Sequence, residues 1–169
     1  VVVAAGNSNA NAANFTPASC NNVINVASIT SSGSRSSFSN YGSCVDLFAP
    51  GVGTTSAWYT SDTATNTISG TSMAAPIVTG IIALMISIRP LATREQIAEA
   101  ILNSATPFSS NTTCSIRPEG YCGEGIVNAA TAIEASIFNA QLNGVEGSFT
   151  CQQGGLECIS GTYSHVLAN

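Results

Sequence analysis

Apolar residues set the frame of this chain. Val1 to Ala5 is a continuous run of valine and alanine ended by Gly6-Asn7, the pattern of a parallel strand buried on both faces. Val23 to Ile29 (VINVASI) and Cys44 to Gly51 (CVDLFAPG) read as a second and a third strand, the latter stopped by Pro50-Gly51. After Ser72 come Ile77, Val78, Ile81, Ile82, Leu84, Met85, Ile86 and Ile88, apolar on nearly every face, and the run stops at Arg89-Pro90. That predicts a core helix buried all round, with Pro76 in its first turn, where a missing N–H costs nothing. Pro76 and Gly80 interrupt the run, which reads as too short and too mixed to span a bilayer. Thr93 to Ser104 carries Ile97, Ile101 and Leu102 on one face, with Thr93 and Gln96 spaced as a capping box. A further amphipathic helix covers roughly Val127 to Asn139. These elements predict an α/β fold in three layers, a mostly parallel sheet flanked by helices, over residues 1–139. Residues 140–169, with turn signals at Asn143-Gly144 and Gly154-Gly155, read as a β-rich tail or the start of an appended module.

Charge narrows the partners. Four arginines, no lysine and nine acids leave 8% of residues charged, so no basic patch can form and nucleic acid is excluded as a partner. Six cysteines without a Cys-x-x-Cys pair or a histidine cluster argue for disulfides over zinc, and for a secreted protein in an oxidising compartment. Cys114 and Cys122 bracket a short polar loop and are expected to bond; Cys151 and Cys158 form a second close pair. The chain opens inside a strand without a methionine, so it reads as a fragment or processed piece. In isolation it is expected to aggregate or stay partly unfolded, because that strand lacks its neighbours.

Candidate chemistry centres on GTSMAAP, Gly70 to Pro76. A serine at the mouth of an apolar helix sits where unpaired N–H groups and the macrodipole favour negative charge, as a serine nucleophile requires. The same position suits an N-cap serine that serves only its own helix. Asn7, just past the carboxyl end of the first strand, is placed to donate to an oxyanion or simply to turn the chain. Asp46 interrupts the third strand, and burial there calls for hydrogen-bond donors or a calcium ion.

Three stretches, VVVAAGN, SFSNYGSCVDLFAPG and SGTSMAAP, in this order, resemble the subtilisin-like serine peptidases, specifically the proteinase K and aqualysin branch. The resemblance is strong from Val1 to about Leu91, weaker to about Ala135, and does not cover the last thirty or so residues. It implies that Ser72 is the nucleophile and Asn7 the oxyanion asparagine, with the Ser72 N–H as second donor. It implies that Ala4, Ala5 and Gly6 form one wall of the primary specificity pocket, with Phe15 near its base and Thr71 among the substrate-binding positions. Asp46 with the carbonyls of Asn21 and Val23 matches a structural calcium site; catalysis itself needs no cofactor. The implied function is endopeptidase action on polypeptides through an acyl-enzyme, in a secreted protein, monomeric when complete and without a membrane partner.

Departures from the family pattern carry their own expectations. The family order is Asp, His, Ser, and only the serine is present. His165, the single histidine, lies in the tail and matches no motif, so the chain alone is expected to be inactive. Ile77 stands where the family places a histidine. Cys44 matches a family cysteine whose partner position is Ala13, which leaves Cys20 to pair with Cys44 or with a cysteine further upstream. The rival reading is a truncated or degenerate homologue acting as a binding or structural module. An α/β-hydrolase esterase fits poorly, since Ala74 stands where G-x-S-x-G needs its second glycine.

Overall fold

Period-two burial organises the sheet. In the computed structural model, which describes residues 1–110, 112, 114, 121–142, 147–148 and 162–163, β1 (Val2–Ala4), β2 (Ile24–Ile29), β3 (Leu47–Pro50) and β6 (Gly125–Ile126) form one parallel sheet in the order β1-β2-β3-β6. Val26, Leu47 and Ala49 point to one face, Ala27, Ile29 and Phe48 to the other. The first face is covered by α1 (Thr71–Ile88), α2 (Arg94–Asn103) and α3 (Ala129–Leu142). Loops, a 3-10 turn at Ala12–Asn14 and the Cys114–Cys122 disulfide close the second face. The parallel α/β architecture is as expected, with the three α-helices of the described residues on one side.

Several details differ from the sequence reading. β1 stands at one end of the described sheet, with Val3 buried and Val2 and Ala4 half-buried. β3 begins at Leu47, and Asp46 precedes the strand where it was expected to interrupt it. Helix α1 is not buried all round. Thr71, Ala74, Val78, Ile81 and Met85 make a stripe at helical spacing against the sheet, while Leu84 and Ile86 are 53% and 46% exposed. With 18 residues and a mean hydropathy of 1.9 it is also long and apolar enough to cross a membrane, contrary to the sequence reading. Here its stripe packs on β1, β2 and β3. Because the helix starts at Thr71, Pro76 falls in the second turn, where it cannot donate to the Ser72 carbonyl four residues back.

Helix α2 keeps both bonds of its capping box, Gln96 N–H to Thr93 Oγ1 at 3.2 Å and Thr93 N–H to Gln96 Oε1 at 3.0 Å. The Cys114–Cys122 bond is present, whereas Cys20 and Cys44 are free thiols, so they are not paired with each other. Burial holds the Cys44 thiol above its ordinary pKa. A hairpin of β4 (Thr54–Ala57) and β5 (Thr65–Ile68) was not foreseen. Its strands are polar on both faces, and its Thr55 and Thr67 hydroxyls meet across them at 2.7 Å. Further on, β7 (Gly147–Ser148) pairs antiparallel with β8 (Thr162–Tyr163). His165, Cys151 and Cys158 lie outside the described residues.

Candidate active site

At the carboxyl ends of the parallel strands, the end of β1 meets the start of α1. The N-cap of α1 is Gly70, which offers no side-chain cap, and its N–H donates to the Gly51 carbonyl at 2.8 Å. Ser72 is thus the second helical residue, exposed, and does not cap its helix. Neither its hydroxyl nor its N–H has a hydrogen-bond partner among the described residues. Both stand free at the positive end of an 18-residue helix.

Thr71 connects this helix end to Asn7. Its N–H and its hydroxyl both donate to Asn7 Oδ1 at 2.9 Å, and its Oγ1 accepts the Gly6 N–H at 3.1 Å. A backbone N–H can only donate, so Asn7 must present its oxygen to Thr71 and turn its Nδ2 the other way. That nitrogen lies 3.4 Å from where a Cβ on Gly70 would stand, close to the helix end. It has no acceptor among the described residues. The Asn7 amide and the Ser72 N–H are thus two donors without acceptors among the described residues, at the same helix start as the unengaged Ser72 hydroxyl.

The other predicted residues are placed as follows. Thr71, expected among the substrate-binding positions, is fully buried, and its side chain is bonded to Gly6 and Asn7. No signal in the sequence separates this placement from substrate contact. The Ala5 side chain is fully buried in the second core, and Phe15 packs against the same cluster; Ala4 and Gly6 are half-buried at the strand end. Ile77 packs against the core between α1 and the sheet.

Asp46 lies at the opposite end of the sheet, before β3, and its Oδ2 accepts the Asn25 N–H at 2.6 Å. Burial raises its pKa, the Asn25 N–H lowers it, and nearby Glu124 adds to the rise. Asn21 and Asn22 are exposed and Val23 half-buried. Asn22, Val23 and Asp46 line a cavity of 480 Å³ with the starts of β1 and β2 and parts of α1 and α2. That cavity is remote from Ser72 and is no substrate cleft for it. Among the described residues no three acidic, histidine or cysteine side chains cluster to hold a metal ion.

A parallel α/β sheet with an exposed serine at a helix start and two free donors at the strands' carboxyl ends offers a place where negative charge is favoured. Comparison with known proteins gives the class. The chain belongs to the subtilase family, whose sequence pattern matches residues 1–154. It is 60% identical over 107 residues to the extracellular serine proteinase of Thermus sp. (strain Rt41A), covering 63% of this chain and 26% of that protein. It is 59% identical over 92 residues to the alkaline proteinase of Hapsidospora chrysogena, covering 54% and 23%. Among solved structures, a protease of Pseudoalteromonas arctica PAMC 21717 superposes with a TM-score of 0.72 at 38% identity, over 80% of this chain and 42% of that one. A cold-adapted subtilisin-like serine proteinase gives a TM-score of 0.61 at 45% identity, over 74% and 41%. The chain thus spans about a quarter of the length of these sequence relatives.

Proposed function

We propose that this chain is the nucleophile-bearing part of a secreted subtilisin-like endopeptidase. The observation that carries the reading is the Asn7 amide, turned by Thr71 toward a helix end where Ser72 keeps both its hydroxyl and its N–H free. Ser72 Oγ attacks the scissile carbonyl carbon, and the oxygen of the tetrahedral intermediate is held by the Ser72 N–H and Asn7 Nδ2. The leaving amine departs with the proton that the histidine took from the serine, and an acyl-enzyme on Ser72 remains for water to hydrolyse. The histidine that takes the serine proton, and the aspartate that orients it, come from outside the described residues, in the family order ahead of the serine. Secretion agrees with the Cys114–Cys122 disulfide and with the extracellular relative.

A fluorophosphonate probe tests this reading on the full-length protein. Labelling is expected at Ser72 and is expected to vanish in Ser72→Ala. A folded product that takes no probe would favour the non-catalytic homologue instead.

We also infer a structural calcium site at Asp46 with the Asn21 and Val23 carbonyls. One oxygen of Asp46 is tied to Asn25 and the other is free, and hard oxygen donors of this kind suit calcium. The sign of the pH effect follows from the raised folded-state pKa. Without metal, Asp46 subtracts stability as pH rises from the ordinary carboxylate value through the raised one, since folding disfavours its ionised form. Calcium binds the ionised form, so its stabilisation grows over that same interval and fades below it. Melting in millimolar calcium against chelator is expected to show a gain in Tm at neutral pH that disappears in acid. Asp46→Asn keeps an acceptor for the Asn25 N–H and is expected to abolish the gain. Equal melting with calcium and with chelator at neutral pH removes the site.

A further inference from the structure

Asn40 is fully buried, and its side chain is spent on the turn that carries Asn7. Its Oδ1 accepts the Ser8 N–H at 2.9 Å and the Ala10 N–H at 3.1 Å. Its Nδ2 donates to the Ala5 carbonyl at 2.8 Å, and its backbone N–H donates to the Gly6 carbonyl at 2.9 Å. These bonds fall on both sides of Asn7 and none on Asn7 itself. Two N–H donors and one carbonyl acceptor also fix which way the Asn40 amide points.

The turn needs such a hold. Gly6 at φ +102° and Asn9 at φ +49° lie in left-handed backbone close to Asn7, and for Asn9, which carries a Cβ, that region is disfavoured. The clamp is itself anchored to the sheet: Ser39 Oγ accepts the Ser28 N–H of β2 at 2.9 Å and donates to the Asn40 carbonyl at 3.0 Å. Bonds from Asn9 N–H to Phe38 O at 2.8 Å and from Tyr41 N–H to Ala10 O at 3.1 Å extend the same strip.

We propose that Asn40 is a positioning residue for the oxyanion donor, resting on the peptidase reading of Ser72 and Asn7. Thr71 sets the rotation of the Asn7 amide, and Asn40 sets the backbone from which it hangs. An oxyanion donor works only when it already stands where charge develops. Asn40 therefore acts on turnover through Asn7, without touching substrate.

The test uses the full-length protein and a short peptide amide. In Asn40→Ala, kcat is expected to fall about 10- to 100-fold while KM stays within about threefold. Introduced into an Asn7→Ala background, the same change is expected to cost less than about twofold more, because the donor it positions is already gone. Hydrogen exchange at the Ser8 and Ala10 amides should speed up in Asn40→Ala and stay slow in Asn40→Asp, which keeps an acceptor for both. Should Asn40→Ala fail to fold, Asn40→Asp carries the kinetic arm, since it loses the donor to Ala5. An additive loss of kcat on top of Asn7→Ala, a rise in KM at constant kcat, or unchanged exchange in Asn40→Ala overturns the proposal. The exchange arm needs no turnover. A parent protein that takes no fluorophosphonate therefore sinks the peptidase reading separately from whether Asn40 holds the turn.

Discussion

Asn7→Ala is expected to lower kcat about 10²- to 10³-fold with little change in KM, a magnitude that comes from subtilisin, a member of this same family. On the proposed peptidase reading the variant deletes a donor to the oxyanion, an interaction strong in the transition state and weak in the ground state, so the loss falls on turnover. It also strips Thr71 of the acceptor for its N–H and its hydroxyl. Leaving a buried N–H unpaired costs about 1–3 kcal/mol of stability. Asn7→Asp separates these effects: a carboxylate still accepts both Thr71 bonds, yet offers no donor and repels a developing oxyanion. Its melting temperature is expected to stay closer to the parent's than that of Asn7→Ala, with turnover at least as low. Steady-state kinetics beside thermal melts check both. A KM effect at constant kcat would place Asn7 in ground-state binding.

Local signals in the sequence translated well into structure. Thr93 and Gln96 form their capping box because that device depends only on residues a turn apart. Cys114 and Cys122 are bonded, being only eight residues apart in sequence. Val1 to Ala5, Val23 to Ile29 and the Leu47 segment became parallel strands, since β-branched and small apolar runs fit a sheet covered by helices.

What the sequence hid depends on neighbours. Helix α1 carries apolar residues at almost every position, so periodicity alone could not reveal that its buried face is the Thr71–Ala74–Val78–Ile81–Met85 stripe. The β4–β5 hairpin has no apolar face, and its cross-strand threonines leave no alternation to read. Most telling is the site itself. The placing of Ser72 at a helix start and of Asn7 just past a strand end was legible from the local pattern. That Thr71 faces inward to hold Asn7, and that Asn40 in SFSNYG grips the turn from behind, depends on contacts across 64 and 35 residues of chain. No local pattern encodes such contacts, because a small polar residue in a motif reads alike whether it meets substrate or backbone.

Gly6→Ala is the second large effect expected, and it joins stability to function. Gly6 has φ +102°, and a Cβ there would lie 2.4 Å from Asn40 Nδ2 and 3.3 Å from Asn40 Cγ. The amide cannot swing aside, since its bonds to Ala5, Ser8 and Ala10 hold it in a buried place. Left-handed backbone costs an alanine about 1–2 kcal/mol, and forcing a methyl into packed surroundings adds about 1–3 kcal/mol. Gly53 provides the control: φ is +64° there, but nothing lies within 4 Å of its would-be Cβ. Gly53→Ala should therefore show the backbone strain alone, and Gly6→Ala should exceed it in denaturant unfolding of the full-length protein. Because Asn7 follows directly, any relief of the clash moves the oxyanion donor, so kcat should fall in Gly6→Ala and hold in Gly53→Ala. Equal destabilisation of the two variants would mean that Asn40 yields to the methyl. The turn around Asn7 would then be softer than its hydrogen bonds require.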